Sequence, residues 1–293
     1  MNHSVLRNES NGRILLEQGF LVLDLLPNEV VGELLEFFQQ SHPGSIPPFY
    51  ATAHSESEEV RVGSSRFIHQ KLKPYLDPLV KDCTLLGGSF IVKTNESNSR
   101  LEAHQDWNLV DESIFRSYNL WVPLVQTKEQ TGALKVLPGS HSWPMRWRGP
   151  NASEPLNEVI QEVWEEMIAI DLLPGQAILY DHALYHGSFP NLSPERRVAL
   201  VLGVVPQGAE LLHSVQEGNQ VTLYKSSVDF YLSGNIQTGH ENLEIKSKIP
   251  LGEVDYMDLW SKRKTKASGS WSNLITRWWN RFFSNSIEGE WGR

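Results

Sequence analysis

From Leu85 to Val205 the chain is a succession of short apolar runs closed by turn signals, and this rhythm limits the fold more than any other feature. The candidate strands are 87–93 (GGSFIVK), 100–106, 118–125 (YNLWVPLV), 133–137 (ALKVL), 167–171 (MIAID), 176–181 (QAILYD), 184–187 and 197–205 (RVALVLGVV). Upstream, FLVLDL at 20–25 reads as one more strand. Asn28 is a candidate N-cap for a helix from Glu29 to Gln40, and a second helix is expected over Ser64 to Lys73 with Pro74 bending its exit. Residues 154–166 read as an inserted acidic helix with Leu156, Val159, Ile160, Val163 and Trp164 facing inward. The expected class is mainly β with flanking α: a double-stranded β-helix, or cupin-like jelly roll, buttressed by N-terminal helices.

Charge narrows the function. The net charge of −9 argues against a general nucleic-acid binder, which needs a basic footprint. A single cysteine, Cys83, excludes an intrachain disulfide and suits a reducing compartment. The start lacks the pattern of a secretory signal, and no run approaches the length of a membrane span, so the expected location is cytoplasmic.

The chemistry begins at His104-Gln105-Asp106. Alternate residues of a strand share a face, so His104 and Asp106 can hold one ion from one side. A third ligand must arrive from a distant strand, and His182 and His186 in LYDHALYHGS compete for that place. Two imidazoles and a carboxylate form a facial triad for non-haem Fe(II) with open positions for further ligands. Arg196 and Arg197 follow, one of which can offer a guanidinium fork to a carboxylate; the alternation Val198, Leu200, Leu202 does not say which. Against this, a strand-borne His or Asp is commonly a hydrogen-bonded structural residue.

Four blocks carry a resemblance. HQD at 104–106, TGALKVLPGSH at 131–141, PGQAILYDHALYHGS at 174–188 and PNLSPERR at 190–197 resemble the phytanoyl-CoA dioxygenase family, in order and register over residues 15–205. The resemblance implies Fe(II), 2-oxoglutarate and O2 as cofactor and cosubstrates. It implies His104, Asp106 and His186 as metal ligands and Arg197 as the 2-oxoglutarate anchor, with Arg196 outward. It also implies Trp121 beside the cosubstrate, where plain core packing is the competing reading. Related iron halogenases replace the carboxylate ligand with Gly or Ala. Retention of Asp106 therefore points to a hydroxylase acting on a small or lipid-like substrate. The alternatives are desaturation or epimerisation with the same cofactors, or a non-catalytic jelly-roll ligand-binding protein.

Substrate contacts are sought in two places. Tyr50, Thr52 and His54 sit in an irregular segment where a lid belongs, and Trp107 follows the metal strand directly. Arg146 and Arg148 lie in an aromatic–basic loop able to receive an anionic head group, or else simply to stack arginines on tryptophans. The last segment is chemically distinct. Residues 262–293 hold seven Lys/Arg against two acids, leaving −14 on residues 1–261. The expected division is an oxygenase domain over 1–261 and, over 262–293, a basic flexible linker followed by a Trp-rich amphipathic helix. In that helix Trp271, Leu274, Ile275, Trp278, Trp279, Phe282 and Phe283 form one apolar stripe over 270–283. Such a stripe suits a peripheral membrane surface or a protein contact, docking on the chain's own core included.

Overall fold

The computed structural model describes residues 4–267, apart from 43, 234, 235, 237, 238 and 253. Two compact units divide at 252/253. The Trp-rich stripe at 270–283 lies outside the described residues.

The first unit opens with α1 (Glu9–Gln18), which sequence reading passed over because ESNGRILLEQ is so polar. Local chemistry defines its ends. Asn8 accepts from the Asn11 amide, and Gly19, at φ +83°, returns its own amide to the Leu15 carbonyl. Strand β1 (Phe20–Asp24) leads to α2 (Asn28–Ser41), whose N-cap is Pro27 with no side-chain bond. Asn28 is therefore inside the first turn and is not the cap expected of it. After β2 (Phe49–Ala51), α3 runs over Glu58–Leu76 and starts six residues earlier than expected. Ser57 caps it through the Val60 amide, and Glu58 and Glu59 complement the dipole of the first turn. Pro74 falls in the last turn, where it removes one hydrogen bond without ending the helix.

The β region follows as β3 (Cys83–Lys93), β4 (Leu101–His104), β5 (Tyr118–Pro123), β6 (Leu134–Val136), β7 (Ile168–Ile170), β8 (Gln176–Asp181), β9 (His186–Ser188) and β10 (Arg197–Pro206). The acidic insertion before β7 is a 3-10 turn leading into α4 (Ile160–Glu166), with Leu156 and Val163 buried and Val159, Ile160 and Trp164 only half-buried. Beyond it, β11 (Leu212–Glu217), β12 (Gln220–Lys225), α5 (Val228–Ser233) and β13 (Ile245–Pro250) were not anticipated.

The strands form a six-stranded sheet ordered β1-β8-β5-β10-β3-β2, a four-stranded sheet ordered β4-β9-β6-β7, and a separate β11-β12-β13 sheet. All pairings are antiparallel. This is the jelly-roll core that was expected, with the helices on one face of the large sheet. Leu15 of α1, Val31, Leu34 and Phe38 of α2, and Ile68, Leu72 and Leu76 of α3 pack there in one core. From the sheet they meet Phe90, Val92, Leu120, Val122, Ala177, Leu179, Val198, Leu200, Leu202 and Val204. These are alternate residues of four strands. Their intervening neighbours Ser89, Ile91, Asn119, Trp121, Tyr180, Arg197 and Val201 line a cavity on the opposite face.

In the second unit, α6 (Tyr256–Ala267) passes through Lys262, Arg263 and Lys264. The first part of the expected flexible linker is thus helical, with Lys262 bonded to Asp258 one turn back. No helix among the described residues is long and apolar enough to cross a membrane.

Leu200 is fully buried at the centre of the sheet–helix core. Replacing Leu200 with Ala is expected to lower unfolding stability by about 2–5 kcal/mol in a denaturant titration. A loss under 1 kcal/mol would show that this face is not the packed core.

Candidate metal centre

Strands β4 and β9 pair so that His104 and His186 are register partners, and their rings lie 4.3 Å apart between centroids. Strand β4 stops at His104, two residues short of expectation, so Asp106 comes from the irregular segment that follows and not from the same strand face. The outcome is the expected grouping by a different route. His104 Nε2 lies 3.7 Å and His186 Nε2 3.6 Å from Asp106 Oδ1, and the three potential ligand atoms are all within 4.8 Å of one another.

Each donor is aimed by a second bond. His104 Nδ1 donates to the Glu102 carbonyl at 2.8 Å and His186 Nδ1 to the Leu184 carbonyl at 3.0 Å. A carbonyl can only accept, so the neutral rings leave both Nε2 lone pairs facing the shared centre. Asn119 donates to Asp106 Oδ2 at 3.2 Å, keeping Oδ1 turned the other way. Burial alone would raise the Asp106 carboxyl. The imidazoles of His186, His182 and His104, with the Asn119 amide, outweigh it and hold the group at about 2. Burial lowers His104, and neighbouring His186 lowers it further.

Tyr180 completes the group. Its hydroxyl is 3.4 Å from His186 Nε2 and accepts from Asn119 at 3.1 Å, while burial and then Asp106 push it well above the ordinary phenol range. Sequence reading missed both Asn119 and Tyr180. The available signal was a polar residue two positions from Trp121 on an apolar strand, which must share that residue's face.

His182 stands apart. Its Nδ1 pairs with Ser117 Oγ at 2.9 Å, and the Leu184 amide bonding to the Asp181 carbonyl makes a turn between the two histidines. Their even spacing therefore does not put them on one face.

Arg197 sits buried on the cavity face of β10, with Nη1 donating to the Ile91 carbonyl and its charged carbon 5.5 Å from the Trp121 ring centroid. Its buried Nε has no hydrogen-bond partner, and burial lowers the guanidinium to about 9. That is the signature of a cation held ready for an anion. Arg196 points outward to the His42 and Gly44 carbonyls. Gly132, at φ +77°, lies against Arg197; a Cβ there would stand 3.4 Å from Nε and 3.3 Å from the Lys93 side chain.

The cavity holding these groups has a volume of about 290 Å³. Away from the triad and Arg197 its wall is formed chiefly by Phe49, Ala51, Ala53, Ile91, Leu101 and Val201, with His54 among them. The other substrate candidates are not brought there. On β2, Phe49 and Ala51 face the cavity, so Tyr50 faces away and meets His42 Nε2 at 3.2 Å. Thr52 is fully buried, accepting from the Phe90 amide and pairing with Ser89 Oγ. Trp107 stacks edge-on to His213. Arg146 is tied to Gln105, the Ser153 carbonyl and Glu154, and Arg148 forms a buried two-point ion pair with Glu112. The aromatic–basic loop spends its arginines on the protein itself.

Known proteins agree with this architecture. The chain is 28% identical over 126 residues to a phytanoyl-CoA dioxygenase domain-containing protein 1 homolog of Dictyostelium discoideum, a match covering 40% of this chain and 45% of that protein's length. It is 29% identical over 219 residues to a probable alpha-ketoglutarate-dependent hypophosphite dioxygenase of Stutzerimonas stutzeri, covering 65% of this chain and 76% of that one. The crystal structure of HygX from Streptomyces hygroscopicus with nickel, 2-oxoglutarate and hygromycin B bound superposes with a TM-score of 0.51 at 18% identity. That likeness, over 69% of this chain and 88% of HygX, speaks for the fold. Residues 15–199 match the phytanoyl-CoA dioxygenase family itself, and the chain belongs to that family of dioxygenases working with Fe(II), 2-oxoglutarate and O2.

Proposed function

We propose that this protein is an Fe(II)- and 2-oxoglutarate-dependent hydroxylase of a small or lipid-like substrate, releasing succinate and CO2. The observation that carries the reading is the convergence of two Nε2 lone pairs and Asp106 Oδ1, with each ring's Nδ1 already committed to a carbonyl. That donor set fits a divalent iron and leaves part of its coordination sphere free. Iron and 2-oxoglutarate supply the oxidising power when bound; the protein supplies position and dryness.

In this reading His104, His186 and Asp106 hold the metal, and Asn119 keeps the carboxylate in its working orientation. Arg197 pairs with the distal carboxylate of 2-oxoglutarate through its planar guanidinium, whose buried Nε has no partner within the protein. Trp121 walls that end of the cavity and keeps water from the guanidinium. Among the described residues lining the cavity, Arg197 is the one Lys or Arg and Asp106 the one acid. Once both are engaged, the remaining wall is nearly apolar and suits an uncharged reacting group. A small oxyanion, such as the hypophosphite in the name of the Stutzerimonas relative, would find no second cation there. Desaturation and epimerisation use the same centre, and product analysis separates them from hydroxylation.

Anaerobic addition of Fe(II) and 2-oxoglutarate is expected to give a visible metal-to-ligand charge-transfer band, and oxygen to yield succinate. Absence of both would leave a non-catalytic binding protein. His186→Ala is expected to abolish the band while His182→Ala retains it; the reverse result would transfer the ligand role to His182. For Arg197→Leu, the 2-oxoglutarate concentration giving half-maximal band is expected to rise about 100-fold, in line with loss of a buried charge-assisted pair. An unchanged value would remove Arg197 as the anchor.

We further assign the oxygenase to residues 1–261 and leave 262–293 as a basic, Trp-rich segment whose first residues, to Ala267, complete α6. Truncation after Ala267 keeps α6 whole. It is expected to leave succinate formation intact and to reduce sedimentation with anionic liposomes, and equal sedimentation would dismiss a membrane role for the segment.

A further inference from the structure

The Arg148–Glu112 ion pair lies outside the cavity, and its side chains are 2% and 1% exposed. A buried pair of this kind seldom adds stability over apolar residues of the same size, so its presence calls for another explanation. The bond made by the guanidinium Nε supplies one. Nη1 donates to Glu112 Oε2 at 2.9 Å and Nη2 to Oε1 at 2.5 Å, which fixes the plane of the group. In that plane Nε donates to the backbone carbonyl of Asp106 at 2.6 Å.

The surrounding bonds tie the same two chain segments together. The Arg148 amide donates to Asn108 Oδ1 at 2.5 Å, and the Asn108 amide donates back to the Arg148 carbonyl at 3.2 Å. Arg146 Nε donates to Gln105 Oε1 at 3.4 Å, and Gln105 Nε2 to the Ala183 carbonyl at 2.6 Å, just ahead of His186. Behind the arm, Ser214 Oγ donates to the Arg148 carbonyl, and a Cβ on Gly149 would fall 1.8 Å from the Ser214 carbonyl. The arm is seated too closely to shift.

Building on the metal-ligand assignment proposed above, we propose that Arg148, with its plane set by Glu112, is a positioning residue that holds the Asp106 segment in register with His104 and His186. The need arises because β4 ends at His104. No strand pairing fixes the backbone of Asp106, so its placement rests on the arginine, while Asn119 orients the carboxylate itself. Lysine cannot replace it, having a single nitrogen for two acceptors that lie in different directions.

The test uses the full-length metal-free protein titrated anaerobically with Co(II), read by the d–d absorption bands and by calorimetry, with no substrate required. Arg148→Met alone strands a buried carboxylate and can fail to fold, so the decisive variant is Arg148→Met with Glu112→Leu, which replaces the pair by apolar volume. It is expected to melt near the wild-type temperature and to bind Co(II) about 10–100-fold more weakly with altered d–d bands, the usual range for losing an outer-shell partner. Arg148→Lys, which keeps the charge, is expected to be weakened as well. Wild-type affinity and spectrum in a folded double variant would overturn the proposal. Should the double variant not fold, unchanged Co(II) binding by Arg148→Lys would do the same. A wild-type protein that takes up no Co(II), or a His186→Ala variant that binds it normally, would overturn the ligand assignment and this role with it. Weak binding confined to the Arg148 variants supports both.

Discussion

Leu200, Leu120, Leu179 and Phe90 are pressed against three helices, and that contact dictates which way every other side chain of the large sheet must face. A strand has only two faces, so giving one to the helix core commits the alternate residues to the space enclosed with the small sheet. Asn119, Trp121, Tyr180 and Arg197 are polar, or carry polar tips, for this reason. Slipping any of the central strands by one residue would exchange a leucine for a functional group. Selection for packing and selection for the site therefore act on the same register.

Within the enclosed space the electrostatics are lopsided by design. One carboxylate faces the imidazoles of His104 and His186, and one guanidinium faces an aromatic ring and a carbonyl, with an unspent N–H. Lys93, buried beside Arg197 in the strand register, is carried to about 6 by burial and then by that arginine, and donates to the Ser188 and Phe189 carbonyls. Among the described residues lining the cavity, Arg197 is therefore the cationic group at that end.

Much of the fold could be read in advance because its determinants are local and periodic. QAILYD and RVALVLGVV carry their strand character in their own residues, and β8 coincides with its expected bounds. The start of α3 was missed because Ser57 and two glutamates announce a helix only when the apolar face beyond them is weighed with the polar one. The β11-β12-β13 sheet was missed because HSVQE and IKSKIP alternate too weakly to stand out from loop. The site shows the same division. That His104, Asp106 and His186 converge and that Arg197 lines the same cavity was an expectation drawn from spacing and family blocks. Asn119 reaches Asp106 across 13 residues, Glu112 reaches Arg148 across 36 and Tyr180 reaches Asn119 across 61, separations that no local pattern records. Arg146 and Arg148 were read as receivers of an anionic head group because sequence shows charge but not the acids, Glu154 and Glu112, that answer it.

The separation along the chain of the groups that meet at this centre has a consequence for how the protein behaves when damaged. His104 and His186 stand on strands paired across 82 residues, and Arg148, which bonds the Asp106 carbonyl, comes from the aromatic–basic loop between them. No single hairpin or helix pair contains the donor set, so a nicked or half-denatured chain has almost no residual hold on a cation. Cation occupancy then becomes a gauge of global integrity, since a ligand that recognises only the native form stabilises that form by mass action. A failing molecule would surrender its metal as a unit, before it could linger as a partly folded species carrying a redox-active ion.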